Sequence, residues 1–159
     1  MRIVILFLLF NFCVHSQNKN FTIEDNLIYW KLVYEDSTNV LELKNHPRLE
    51  FKTDSTGFIK KGADSANKLN PYTADFKIEK KIGKYRVSVF NFVGYDASPI
   101  TLDFGGVSAP TPSEYRLELI LVNKKGNLKK TVWGVDLTAI YNENLTELFT
   151  IKKRPKSEW

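Results

Sequence analysis

Between Tyr72 and Tyr95 apolar and polar side chains trade places at nearly every step, more regularly than elsewhere in the chain. Ala74, Phe76 and Ile78 alternate with Asp75, Lys77 and Glu79, and Tyr85, Val87 and Val89 alternate with Arg86 and Ser88. A period of two gives each strand one apolar and one wet face, so the stretch predicts a half-buried antiparallel hairpin. Ile82-Gly83 separates the runs, and glycine at the second turn position supplies the positive φ of a type II turn. Two registers satisfy the pattern. A two-residue loop pairs Lys81 with Lys84, Ile78 with Val87, Phe76 with Val89 and Glu79 with Arg86. A four-residue loop pairs Glu79 with Lys84 and Ile78 with Tyr85. Both keep the apolar set on one face, so periodicity leaves the choice open. Past Val89 the alternation weakens into Phe90, Phe92 and Val93, which reads as a stretch covered on both faces.

The same reading extends along the chain. Residues 17–21 form a polar lead, followed by a strand in which Ile28, Trp30, Leu32 and Tyr34 alternate with Tyr29, Lys31 and Val33. That strand is apolar enough to be central. Ser37 or Thr38 suits the cap of a short helix through Val40, Leu41 and Leu43, stopped by Pro47, with a turn-rich segment as the alternative for so brief a span. Asp54-Ser55-Thr56-Gly57, between two short apolar patches, predicts a smaller hairpin. Residues 61–71, KGADSANKLNP, read as an exposed loop. Ile100, Leu102 and Phe104 suggest a short edge strand, and GGVSAPTPS, with its prolines, a loop. Tyr115, Leu117, Leu119 and Leu121 alternate with Arg116 and Glu118 as a strand; Lys124 to Asn127 turn, and residues 128–133 return as another. Then the period changes. Leu137, Ile140, Tyr141, Leu145, Leu148 and Phe149 fall at steps of three and four, the stripe of an amphipathic helix. Asp136 stands at its N-cap, Lys152, Lys153 and Arg154 suit its C-terminal dipole, and Pro155 stops it. The class expected is α+β, a curved antiparallel sheet with a C-terminal amphipathic helix packed on one face.

The first residues change the picture of where this domain works. Arg2, an apolar run from Ile3 to Phe12 and the modest residues Val14 and Ser16 describe a signal peptide, cleaved after Ser16. The run is shorter than the roughly 20 residues of a membrane span. The expected product is exported, to the periplasm or beyond, as a single domain over residues 17–159 with no transmembrane span. A lipoprotein acylated at Cys13 is the competing reading; the bulky Phe12 before it argues against that. Cleavage removes Cys13, the only cysteine, Met1, the only methionine, and His15, leaving His46 as the single histidine. The net charge, +5 for the whole chain, drops by one with Arg2. At 43% hydrophobic residues, the chain has the composition of a folded domain, not a disordered one.

The LIYWKLVYE strand, the IEKKIGKYRVSVFNF hairpin, the LTELFTIKK helix and the terminal Glu158-Trp159 together resemble an uncharacterised family. Its members are small exported proteins of Gram-negative bacteria, related to domains of unknown function with a TATA-box-binding-protein-like fold. The resemblance implies a curved antiparallel sheet with helices on one face, and carries no activity and no functional residues.

Candidate chemistry is thin. With no thiol and one histidine, neither a cysteine nucleophile nor a Cys/His metal site can form after cleavage. His46, beside Pro47 in a polar stretch, reads as a surface histidine rather than a triad base. Asp36, Asp54, Asp64, Asp96 and Asp103 fall in predicted turns, where turn chemistry accounts for them, and the oxygen-rich spacing of a calcium loop is missing. Lysines cluster at 77–84, at 124–130 and, with Arg154, at 152–156. They solubilise turns and guard strand edges; they also suit an anionic lipid surface. Export argues against nucleic acid. Trp30, Trp133 and Trp159 are expected to pack in the core or at sheet edges. No residue is nominated as catalytic, cofactor-binding or metal-binding, and no cofactor is implied. The leading expectation is a non-catalytic envelope domain binding an unidentified partner. The alternatives are a hydrolase using carboxylates alone, or a peripheral protein binding anionic lipid headgroups.

Overall fold

The computed structural model describes residues 20–35, 40–64, 69–95, 100–101, 110–111, 114–129 and 131–151. The central hairpin is β5 (Leu69–Lys81) and β6 (Lys84–Tyr95), joined at Ile82-Gly83, where Gly83 has φ +75°. Its register is the two-residue one: Lys81 opposes Lys84, Ile78 opposes Val87, and Glu79 opposes Arg86. β1 (Phe21–Glu24), β2 (Leu27–Tyr34), β3 (Leu49–Phe51) and β4 (Thr56–Asp64) complete an antiparallel sheet in the order β1-β2-β6-β5-β4-β3. A short β9 (Glu114–Arg116) also pairs with β6, alongside Val93 to Tyr95. β7 (Ile100–Thr101) and β8 (Pro110–Thr111) pair with each other in a separate two-stranded sheet.

One face of the sheet carries the core. Trp30, Tyr72, Phe76, Ile78, Val87 and Val89 are buried there, as are Leu145, Leu148 and Phe149 of α2 (Leu137–Phe149). Each such large side chain contributes about 1.5–3 kcal/mol by leaving water. The helix is placed by polar bonds as well. The Tyr72 hydroxyl donates to Asn144 Oδ1 (2.6 Å), the Tyr85 hydroxyl to the Phe149 carbonyl (2.7 Å) and the Trp30 indole to Asn142 Oδ1 (3.0 Å). As expected, Asp136 caps the helix, its carboxylate accepting the Ala139 N–H. The basic residues at 152–154 and Pro155 lie outside the described residues.

Several expectations are corrected. Phe21 is not in a polar lead but opens β1, which turns into β2 through Asp25 and Asn26, both with positive φ (50° and 64°). That is the type I′ geometry of a two-residue hairpin, and Asp and Asn are among the few side chains that tolerate it. The 61–71 loop is largely strand, because β4 runs to Asp64 and β5 starts at the buried Leu69. The helix around Leu41 is a 3₁₀ segment, Val40–Asn45, that buries Val40 and Leu43; Ser37 and Thr38 lie outside the described residues. Beyond β9 the chain coils into α1 (Leu117–Leu121) instead of continuing as a strand. Leu117 and Leu121, four apart, are buried and Leu119 between them is exposed, which is a helical pattern that alternation of three leucines imitates. The return strand at 128–133 reduces to isolated bridges, Val122 to Leu128 and Val132 to Val135.

Candidate ligand-binding cleft

The weakened alternation after Val89 has a structural cause that builds a site. β6 holds one residue more than β5 between the pairs Asp75–Phe90 and Thr73–Val93. Asn91 absorbs it with φ +55°. Such a bulge shifts the phase of the strand, so odd-numbered Val87 and Val89 face the core before it and even-numbered Phe92 after it. Asn91 is itself tied down, its side-chain amide donating to Asp75 Oδ2 at 2.8 Å.

β2 and β9 lie end to end along the same edge of β6, on either side of this bulge. The ladder is interrupted between them. Glu118, in the first turn of α1, fills the gap by accepting the Ile28 N–H at 3.0 Å. The result is a cleft of about 460 Å³ lined by Leu27, Phe58, Thr73, Ala74, Asp75, Asn91, Phe92, Val93, Arg116 and Glu118. Register puts Thr73, Asp75, Val93 and Arg116 on the face of the sheet opposite α2. The same face carries Tyr29 against Phe90, ring centres 5.3 Å apart, and Lys31 over the Tyr29 ring. An apolar floor with a few polar groups of both charges is the composition of a ligand site. Chemically the cleft offers a carboxylate to a cationic group, or Arg116 to an anionic one, beside apolar side chains.

Neither acid of the cleft was singled out by sequence, where Asp75 and Glu118 read as wet-face residues of strands. Their convergence depends on the bulge and on α1, which no local signal announces. Of the aspartates considered there, Asp36, Asp96 and Asp103 lie outside the described residues. Asp54 sits exposed in the β3–β4 turn, 2.7 Å from Lys44, which holds its carboxyl below the usual range. Asp64 ends β4 opposite Leu69. His46 serves the backbone, its Nδ1 accepting the Arg48 N–H at 3.2 Å. Among the described residues no cluster of acids and histidine could hold a metal ion, and no helix is long and apolar enough to cross a membrane. Trp30 is in the core, whereas Trp133 is 88% exposed, against expectation; Trp159 lies outside the described residues. Compared with protein-family models, with curated proteins and with solved structures, the chain matches none.

Proposed function

We propose that this chain is an exported, non-catalytic binding domain of a bacterial envelope, and that its ligand seat is the cleft opposite α2. The observation carrying this reading is the cleft itself, which brings Asp75, Arg116 and Glu118 beside Leu27, Phe58 and Val93 on one sheet face. Both acids are already occupied in holding the scaffold, Asp75 on Asn91 and Glu118 on the Ile28 N–H. The apolar leader accounts for export, and the kinship with exported envelope proteins is part of the same proposal.

The chemistry suits a peptide that presents a basic side chain next to an apolar one. Titration of the ¹⁵N-labelled chain with short lysine–leucine and lysine–phenylalanine peptides should move amide signals at 73–75, 91–93 and 116–118. Asp75→Asn should weaken that response. Unmoved cleft amides, or shifts indifferent to the substitution, would discard the reading. A carboxylate-dependent hydrolase is the second reading, favoured by one observation, two carboxylates in one cleft. Turnover of chromogenic glycosides or peptides that disappears in both Asp75→Asn and Glu118→Gln would establish it instead.

A further inference from the structure

Far along the chain from the cleft residues of β5 and β6, a second feature resists explanation by folding alone. Val132 and Val135 exchange both backbone hydrogen bonds, at 2.8 and 3.0 Å, around the two-residue tip Trp133-Gly134. Trp133 has φ +51° and Gly134 φ +78°. Such tips favour Asn-Gly, because a bulky side chain is strained in the left-handed region. Val132 is buried and secures the stem, yet the indole above it is 88% exposed. A strained backbone that presents a large apolar ring to water is unfavourable on both counts for the isolated fold.

We propose that the Trp133 turn is an interfacial anchor that seats the domain on an anionic lipid bilayer. Its surroundings supply the other parts. Val135 next to the tip is 45% exposed. The Lys129 N–H bonds the Leu121 carbonyl, laying the approach to the turn against α1, whose Leu119 is 75% exposed. Exposed Lys124 and Lys125 sit in the Asn123–Asn127 turn of the same segment, which Asn123 Oδ1 closes by accepting the Lys125 and Asn127 N–H groups. Indole, with an apolar body and a single N–H, belongs at the membrane–water boundary. Lysines on the neighbouring turn of the same segment are drawn to anionic headgroups, and the net positive charge left after the leader is removed acts in the same direction. A ring carried on a projecting two-residue tip, with exposed Val135 next to it, fits a deformable surface.

The test uses the chain without its apolar leader, residues 17–159, in a Trp159→Phe background, mixed with phosphatidylglycerol–phosphatidylcholine vesicles whose acyl chains are brominated. Trp30, fully buried, is shielded, so quenching reports on residue 133. The anchor predicts a blue-shifted, quenched emission on anionic vesicles at low salt, with little on neutral ones. Trp133→Asn should reduce co-flotation with anionic vesicles, read without fluorescence, and melt no lower than its parent. Each lysine of Lys124 and Lys125 changed to Gln should weaken vesicle binding about fivefold. Three results would overturn the proposal: no quenching on anionic vesicles, equal quenching on neutral ones, or a lowered melting temperature for Trp133→Asn, which would remove the strain on which it rests.

Discussion

Glu79 shows how a single residue links register to pH. Opposite Arg86 in the two-residue register, its carboxylate accepts the guanidinium Nε–H at 2.9 Å, and that bond holds its pKa below the ordinary 4.5. Because the folded value lies below the unfolded one, the pair stabilises the fold above the unfolded pKa. The contribution disappears as pH falls through the folded value. Both side chains are more than one-third exposed, so screening limits the pair to about 0.2–1 kcal/mol. Glu79→Gln should therefore melt slightly below wild type at neutral pH, and the difference should close as pH drops from about 5 to about 3. Melting curves across that range check it; a gap that widens in acid would be inconsistent with the pairing. The sequence already allowed this pair, but only in one of its two registers.

At the scale of elements, strands with one wet face were readable and interruptions were not. The β5–β6 hairpin, the alternation of β2 and the three-four spacing of α2 are repeated signals, each reinforced by several residues. The bulge at Asn91 rests on one residue and erases alternation in its vicinity, so it read as a stretch covered on both faces. Residues 117–121 carry too few apolar positions to separate a helical turn from a strand. The two cleft acids depend on those two irregularities, which is why the candidate site was hidden while the sheet was not. The β3–β4 hairpin offers a test of element pairing. Gly57 lies between Phe51 and Phe76, whose rings meet edge to face at 5.0 Å, and a methyl group there would run into the Glu50 carbonyl and the Phe76 ring. Gly57→Ala should cost about 1–3 kcal/mol, since backbone as well as side chain must move. Urea denaturation measures it, and an unchanged midpoint would show that β3 gives way freely.

For the whole molecule, the decisive quantity is the single core between the sheet and α2. Val87 is fully buried at its centre, flanked by Leu32 on β2 and Ile78 on β5. Val87→Asp places an unpaired carboxyl there and should unfold the domain, because burying it, charged or neutralised, costs an amount comparable to the roughly 5–15 kcal/mol by which domains are stable. Lys81→Glu, at the exposed end of the same hairpin, should change stability by no more than about 0.5 kcal/mol. Thermal melts of the two variants decide this, and a cooperatively folded Val87→Asp protein would mean that the faces are assigned the wrong way round.

What the chain determined by itself is whatever repeats locally. Period two and period three-to-four are properties of neighbouring residues, and the burial of one face follows from the hydrophobic effect whatever the partner. The sequence therefore settled which faces of β2, β5, β6 and α2 turn inward, and that Asp136 starts the helix. Tertiary structure decided what depends on residues far apart: the hairpin register, the phase shift at Asn91, the coiling of α1, and the meeting of Asp75, Arg116 and Glu118. Those outcomes compare packings of nearly equal local energy, and only the complete set of partners tips the balance.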